Sequence, residues 1–128
     1  MMRLLLDTHV YIWSVLKDRK MPSDFREMIA EADKVFVSTA TIWELSIKAA
    51  RGKLEPAANR TIDLLEAQPF IVLPVLLKHA KAVRNMPDLH RDPFDRVLIA
   101  QARTEILKFL TVDSELSNYL NEALPVLR

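Results

Sequence analysis

The hydrophobic and polar positions of this chain alternate between short apolar runs and stretches of helical spacing. The first run is Leu4-Leu5-Leu6, and similar runs occur at residues 35–38, 70–73 and 109–112. Strands inside a parallel sheet are covered on both faces, so they are apolar at every position rather than at alternate ones. Together with a short run at 125–127, these segments predict a parallel sheet of about five strands.

The segments between the runs carry apolar residues at the spacing of amphipathic helices. The predicted helices cover residues 10–16, 25–32, 39–51, 57–67, 76–86, 93–106 and 114–120. Gly52, the only glycine, follows one of them as a predicted C-terminal cap. Strands joined by helical crossovers form a parallel sheet with helices on both faces. We therefore predict a three-layer α/β fold, with residues 1–128 as a single domain.

Composition excludes several classes of protein. The chain has 128 residues, half of them hydrophobic, which suffices for one domain with its own core. The absence of cysteine excludes disulfides, zinc–thiolate sites and thiol catalysis, and it favours a cytoplasmic location. The longest apolar run is interrupted by Pro74, so no membrane association is expected. A net charge of +1 leaves both RNA and DNA open as partners.

Four acidic residues map to the ends of predicted strands or to the starts of adjacent helices. They are Asp7, Glu44, Asp95 and Asp113. Ligands bind at this edge of open α/β sheets, because the strands stop there and the helices begin. Carboxylates gathered in one crevice raise each other's pKa unless a cation neutralises them. Oxygen ligands favour Mg²⁺ or Mn²⁺ over zinc, and such ions activate water for phosphoryl chemistry.

Each of these acids also has a structural interpretation. Asp7 and Asp113 each precede a predicted helix and could cap it. Glu44 follows Thr41 at the spacing of a capping box. It also precedes Lys48 at the i, i+4 spacing of an ion pair.

The segment from Asp92 to Asp95 has the chemistry of a helix start. Asp92 is placed as an N-cap, with Pro93 at the first helical position. Asp95 differs from an ordinary first-turn acid because Leu98 and Ile99 follow it at i+3 and i+4. It therefore shares the apolar face of its own helix, which points toward the sheet.

Four motifs follow one another along the chain. They are Leu5-Leu6-Asp7-Thr8-His9, Ser38 followed by Trp43-Glu44-x3-Lys48, Arg91-Asp92-Pro93-Phe94-Asp95-Arg96, and Thr111-Val112-Asp113. In this order they resemble the PIN domain family, and most closely the VapC-type toxins of bacterial type II toxin–antitoxin pairs. The resemblance covers nearly the whole chain.

The resemblance implies a three-layer PIN-like fold and a metal-dependent endoribonuclease that uses Mg²⁺ or Mn²⁺. It implies an RNA substrate, a homodimer and a cognate antitoxin that blocks the site. The implied catalytic and metal-binding residues are Asp7, Glu44, Asp95 and Asp113. The predicted supporting residues are Ser38, Thr8 and Asp92. The predicted phosphate contacts are Arg91, Arg96 and Lys48.

Three other functions share features with this one. An aspartyl-phosphate phosphatase also begins with a strand ending in aspartate, but it needs a second aspartate where this chain has His9. A structure-specific DNA nuclease shares the metal chemistry and stays open. A non-catalytic PIN-like interaction module also stays open, although the presence of all four acids argues against it.

The tryptophans and histidines are predicted to have structural rather than catalytic roles. Trp13 and Trp43 fall in helical stripes, so we expect them in the core or a dimer interface rather than as base-stacking platforms. His9, His79 and His90 show no paired spacing, and we expect structural roles for them.

Overall fold

Four parallel strands form the sheet in a computed structural model that describes residues 2–86 and 92–116. The strand order is β3–β2–β1–β4. The strands are β1 (Arg3–Leu6), β2 (Lys34–Ser38), β3 (Ile71–Leu73) and β4 (Lys108–Leu110). The helices are α1 (Thr8–Leu16), α2 (Ser23–Glu31), α3 (Thr39–Ala50), α4 (Pro56–Arg60), α5 (Leu77–Ala82) and α6 (Pro93–Glu105). Short 3-10 helices span Thr61–Ala67 and Val83–Asn85.

The central strand β1 is buried because its three leucines serve both faces of the sheet. Leu4, Leu5 and Leu6 are all inaccessible to solvent. Leu5 packs into the cluster formed with α5 and α6, whereas Leu4 and Leu6 pack into the cluster formed with α1 and α2. Side chains of a strand point alternately to opposite faces, so one apolar run builds two cores. The predicted three-layer α/β fold is confirmed.

The sheet has four strands among the described residues, against about five predicted. The fifth predicted strand, at 125–127, lies outside the described residues, as do Arg91 and His90. Residues 114–116 are helical and begin the predicted last helix, whose remainder also lies outside them. No helix in the described ranges is both long and apolar enough to cross a bilayer.

The predicted helix at 57–67 is divided at Thr61 into α4 and a 3-10 helix. The Thr61 hydroxyl donates to the Ala58 carbonyl oxygen at 2.6 Å, and the Thr61 carbonyl oxygen accepts from the Tyr11 hydroxyl at 2.7 Å. This carbonyl is therefore engaged by a side chain from α1. Burial raises the pKa of Tyr11 to about 12, so its hydroxyl stays a donor. The sequence pattern missed this division because Tyr11 is distant in the chain. The predicted helix at 76–86 similarly divides into α5 and a 3-10 turn.

Helices α3 and α6 end in the same hydrogen-bonding motif with different residues. Gly52 has a φ of +66° after α3, and the next amide, of Lys53, donates to the Lys48 carbonyl at 2.9 Å. Ile106 has a φ of +57° after α6, and Leu107 closes the motif. The predicted cap at Gly52 is confirmed. A β-branched residue in the left-handed region is uncommon, because its Cβ crowds the following carbonyl.

His79 is fully buried and connects α5 to α6. Its Nδ1 accepts from the Leu76 amide at 2.9 Å, so the proton is on Nε2, which lies 2.7 Å from a carboxylate oxygen of Glu105. Lys78 pairs with the same carboxylate at 3.0 Å. The hydrogen bonds from His79 and Lys78 hold the pKa of Glu105 below its ordinary value. The structural role predicted for His79 is confirmed.

We expect Ile106→Asn to raise the free energy of unfolding by about 1 kcal/mol, because asparagine tolerates the left-handed region. The Ile106 side chain is 63% exposed, so little burial is lost. Gly52→Ala is the matched opposite change and should cost about 1 kcal/mol by strain alone, since the added Cβ meets no atom within 4 Å. Urea unfolding of the two variants tests this. Equal effects of the same sign would contradict it.

We expect Glu105→Ala to lower the free energy of unfolding by roughly 1–3 kcal/mol, because it leaves the buried Nε2–H of His79 without an acceptor. A depressed pKa makes this contribution present above the ordinary carboxyl pKa of 4.5 and lost as the pH falls through the lowered value. The difference between wild type and variant should therefore shrink on acidification below that pH. Glu31→Ala, at an exposed position, is the control. A difference that stayed constant with pH would contradict the assignment.

Candidate functional site

Asp7 lies where β1 ends and α1 begins, and it is only 5% exposed. Its backbone amide donates to the Leu110 carbonyl of β4 at 3.0 Å. Its Oδ1 accepts from the Thr8 amide at 2.8 Å, and its Oδ2 accepts from the Thr111 hydroxyl at 2.7 Å. Asp7 is therefore the N-cap of α1, as its structural interpretation predicted, and its carboxylate also joins two strands at their carboxyl ends.

The pKa of Asp7 is raised above its ordinary value. Burial is the main cause, because a charged carboxylate loses hydration there. The hydrogen bonds from Thr111 and Thr8, and the nearby His9, act in the opposite direction. The charge of Glu44 raises the pKa further. Glu44 is thus close enough for its charge to disfavour ionisation of Asp7.

Glu44 is 8% exposed on α3, and its carboxylate faces the start of α1. Oε1 accepts from the Thr8 hydroxyl at 2.9 Å, and Oε2 pairs with Lys48 at 3.1 Å. The predicted ion pair is confirmed. Thr8 therefore contacts both acids, through its amide to Asp7 and through its hydroxyl to Glu44.

The capping box predicted for Thr41 and Glu44 is wrong. The N-cap of α3 is Ser38, three residues before Thr41. Its buried hydroxyl oxygen accepts from the Ala40 amide at 2.9 Å. Thr41 therefore lies inside the helix, and its buried hydroxyl has no hydrogen-bond partner among the described residues. Glu44 is consequently not a capping residue, and Ser38 is the residue that caps the start of α3.

Asp113 reaches Asp7 through Thr111. The Asp113 amide donates to the Thr111 hydroxyl oxygen at 3.1 Å, and that hydroxyl donates in turn to Asp7. The Asp113 carboxylate accepts from the Glu115 amide at 2.9 Å, so its capping role is confirmed. The sequence identified Thr111 only as a motif position. Its contact with Asp7 arises because β4 pairs with β1, which places Leu110 opposite Leu6.

Asp92 and Asp95 lie at the start of α6. Oδ1 of Asp92 accepts from the amides of Phe94 at 2.9 Å and Asp95 at 3.2 Å. The predicted N-cap is confirmed, with Pro93 at the first turn. α6 leads into a strand parallel to β1, so it begins at the carboxyl edge of the sheet. Asp95, half-buried in its first turn, is therefore at the same edge as Asp7.

The predicted phosphate contacts differ in their surroundings. Lys48 is engaged with Glu44, with 43% of its side chain exposed. The guanidinium of Arg96 donates to the backbone carbonyls of Val83 at 3.3 Å and Met86 at 3.5 Å. These contacts tie α6 to the segment before it. Arg91 lies outside the described residues.

Of the two tryptophans predicted for the core or a dimer interface, Trp13 packs against the core on the α1 side of the sheet and Trp43 does not. Trp43 is 61% exposed, so its placement in a core is wrong, while the dimer interface stays a prediction. Its ring lies edge-on to Phe94, with centroids 5.2 Å apart and planes at 88°. Trp13 is partly buried, and the exposed His9 lies against it at 5.9 Å.

The donors at this edge are carboxylates and hydroxyls, the groups that Mg²⁺ and Mn²⁺ prefer. Asp7 and Glu44 form an acidic pair connected through Thr8. Across residues 2–86 and 92–116, no three histidine, aspartate or glutamate side chains lie close enough together to hold an ion. The donor chemistry thus fits a hard cation, and Asp95 and Asp113 are the further acids at the same edge.

Solved structures with this fold include several toxin–antitoxin proteins. The VapBC2 complex of Rickettsia felis, solved with a promoter DNA fragment, matches with a TM-score of 0.71 at 14% identity over 98% of each chain. The Mycobacterium tuberculosis toxin VapC20, which cleaves the sarcin–ricin loop, matches with a TM-score of 0.67 at 15% identity over 96% of this chain and 98% of its own. The DNA-bound VapBC of Salmonella typhimurium matches with a TM-score of 0.64 at 20% identity over 100% and 96%.

The TM-scores show a shared fold, and at identities of 14–20% they show the fold alone. No curated protein sequence matches the chain. The sequence model of the PIN domain matches residues 4–120, which include all four acids and nearly all of the described sheet. The chain therefore belongs to the PIN domain family.

Proposed function

We propose that residues 1–128 form a single PIN domain that acts as a metal-dependent endoribonuclease, the toxin of a type II toxin–antitoxin pair. The observation that carries this proposal is the network around Asp7. Its carboxylate is buried beside Glu44 and bonded to Thr8 and Thr111 at the carboxyl edge of the sheet. A fold gains no stability from two adjacent buried carboxylates unless a cation neutralises them.

Asp7, Glu44, Asp95 and Asp113 are the proposed ligands of Mg²⁺ or Mn²⁺. When bound, such an ion lowers the pKa of water and offsets charge on a phosphodiester. Thr8 and Thr111 orient the carboxylates of Glu44 and Asp7, while Ser38 and Asp92 fix the starts of the helices that carry Glu44 and Asp95. Groups of this supporting kind typically change metal affinity or activity by roughly 10- to 100-fold.

Cations near these acids are the proposed contacts for the RNA backbone. Lys48 already neutralises part of the charge of Glu44, and 43% of its side chain is exposed to solvent. Arg96 belongs to the same helix turn as Asp95. Arg91 is a further proposed contact, from its sequence position alone. A guanidinium group can donate two parallel hydrogen bonds to the oxygens of one phosphate.

The proposed partners are a cognate antitoxin and a second copy of the chain, both in the cytoplasm. The solved complexes from Rickettsia felis and Salmonella typhimurium contain VapBC pairs, which supports an antitoxin partner here. The sarcin–ricin loop is an RNA target of the Mycobacterium tuberculosis toxin, which supports RNA as the substrate class.

The experiment that separates this function from a DNA nuclease or a non-catalytic module is a cleavage assay. The purified chain is incubated with structured RNA, single-stranded DNA and flap DNA, each with Mn²⁺ or with EDTA. Cleavage of RNA alone, and only with metal, is the expected result. Cleavage of flap DNA in preference to RNA would favour the structure-specific DNA nuclease, and no cleavage of any substrate would favour the interaction module.

We expect Asp7→Asn and Asp95→Asn to reduce RNA cleavage by more than 100-fold, because each removes a ligand charge while keeping the side-chain volume. Thr111→Val should cost roughly 10- to 100-fold, since it removes only the hydroxyl that orients Asp7. Single-turnover rates and circular dichroism measure both activity and folding. Asp63→Asn, an exposed aspartate on a 3-10 helix, is the control. Full activity of a folded Asp95→Asn protein would contradict the assignment.

We expect Mn²⁺ at about a hundred times its dissociation constant to add roughly 2.7 kcal/mol to the free energy of unfolding of the wild type. Asp7→Asn should be more stable than wild type in EDTA at neutral pH, because it removes the cost of a buried charge, and it should lose most of the gain from Mn²⁺. Its amide group can still donate to Thr111 and accept from Thr8. Melting curves with Mn²⁺ and with EDTA test both statements.

The pH dependence in EDTA follows from the raised pKa of Asp7. Its folded form binds a proton more readily than its unfolded form, whose ordinary pKa is 3.8. The penalty is therefore full at neutral pH and is relieved as the pH falls toward and through the raised pKa. The stability advantage of Asp7→Asn over wild type should shrink on mild acidification. An advantage that grew with acidification would contradict the assignment.

A further inference from the structure

Trp43 is an exposed aromatic residue in contact with a partly buried one, Phe94. With 61% of its surface exposed, it is among the most accessible large apolar residues that the structure describes. Its edge-on contact with Phe94 fixes the ring at 5.2 Å and 88°. Phe94 is itself packed against the core on the α6 side of the sheet. The indole is therefore oriented and yet open to solvent. Its exposed apolar surface is unfavourable in water, and a ligand that covered it would gain that free energy.

The aromatic pair borders the candidate site on two helices. Trp43 directly precedes Glu44 on α3, and Phe94 directly precedes Asp95 on α6. Both helices begin at the carboxyl edge of the sheet, beside Asp7. The pair thus connects the two helices that carry two of the four proposed metal ligands.

The chemistry of this edge favours a base rather than a phosphate at Trp43. Carboxylates repel a polyanion, and the net charge of +1 supplies no general attraction for one. Every nucleobase has an uncharged π-face, so stacking on an aromatic ring binds RNA without any cation. Bases are available for stacking where they are unpaired, because in double-stranded RNA the faces of each base are covered by its stacked neighbours.

The surroundings of Trp43 are unlike the core of a protein–protein interface. Its neighbours on the exposed side of α3 are Ser46 and Ala50, which are polar or small. Interfaces between proteins need a contiguous apolar centre of large residues. In the described ranges, none of the other large exposed apolar residues belongs to α3 or to the first turn of α6. They are Leu64, Ile71, Val72, Leu76, Leu77, Ile106 and Val112.

We propose that Trp43, supported by Phe94, stacks on an unpaired base next to the scissile phosphate. This adds a base-binding residue to the proposed ribonuclease, and it rests on that proposed function. It replaces the expectation from the sequence that Trp43 is a core or interface residue. The stack would hold the RNA so that its phosphate lies beside the four proposed metal ligands.

A fluorescence titration tests the contact without requiring cleavage. The chain has two tryptophans, so a Trp13→Phe protein reports on Trp43 alone. We expect a short single-stranded RNA, added in EDTA, to quench this fluorescence, and a duplex of the same length to quench it much less. RNA that binds by anisotropy without quenching Trp43, or that quenches equally as a duplex, would overturn the proposal.

Steady-state kinetics in Mn²⁺ test the consequence for cleavage. We expect Trp43→Ala to raise KM for looped RNA roughly tenfold with a smaller change in kcat, Trp43→Phe to restore most of the loss, and Trp43→Leu to restore little. Ile106→Ala is the matched control, since Ile106 is 63% exposed at the opposite edge of the sheet. It should leave KM unchanged.

Two outcomes separate this proposal from its alternatives. If wild type cleaves RNA and all Trp43 variants cleave it equally, the stacking role is wrong and the proposed ribonuclease stands. If Trp43→Ala changes the sedimentation coefficient by dissociating an oligomer while KM stays the same, Trp43 is a subunit contact and the stacking role is again wrong. A wild type without any ribonuclease activity would instead overturn the proposed function.

Discussion

The burial of a carboxylate at the end of the central strand is the constraint on which the rest of this structure depends. Three leucines place β1 in the middle of the sheet with no solvent on either face, and Asp7 follows them directly. An ionised group there must be compensated by fixed donors. The Thr8 amide at the start of α1 and the Thr111 hydroxyl just after β4 supply them, and both follow strands that pair with each other. The core and the site are therefore consequences of the same short segment.

Capping and chemistry are compatible roles for these acids. Asp7, Asp92 and Asp113 each accept backbone amides at the start of a helical segment. Those bonds fix the position of a side chain that would otherwise move, so a helix cap is also a means of holding an oxygen at a defined point. Glu44 is the exception. It is held by side chains, Thr8 and Lys48, and its position depends on the packing of α1 against α3.

Local chemistry was predictable from the sequence, and contacts between distant elements were not. The Gly52 cap, the Asp92 cap and the Glu44–Lys48 pair each depend on residues within one turn of helix. The role of Thr111 depends on β4 lying beside β1, and the division at Thr61 depends on Tyr11. The exposure of Trp43 depends on how α3 and α6 pack. A helical stripe identifies an apolar face, but it does not say whether anything covers that face.

The strand order has a consequence for when the site comes into being. β1 is made first and pairs with β4, the last strand described, so the hydrogen bond from Thr111 to Asp7 closes a loop of 104 residues. During synthesis, the edge of β1 that pairs with β4 stays open until Lys108–Leu110 have left the ribosome. Contacts of such long range form late and slowly in folding. A chain released before residue 111 therefore carries Asp7 without its Thr111 donor. The acidic edge can be assembled only after β4 has paired with β1.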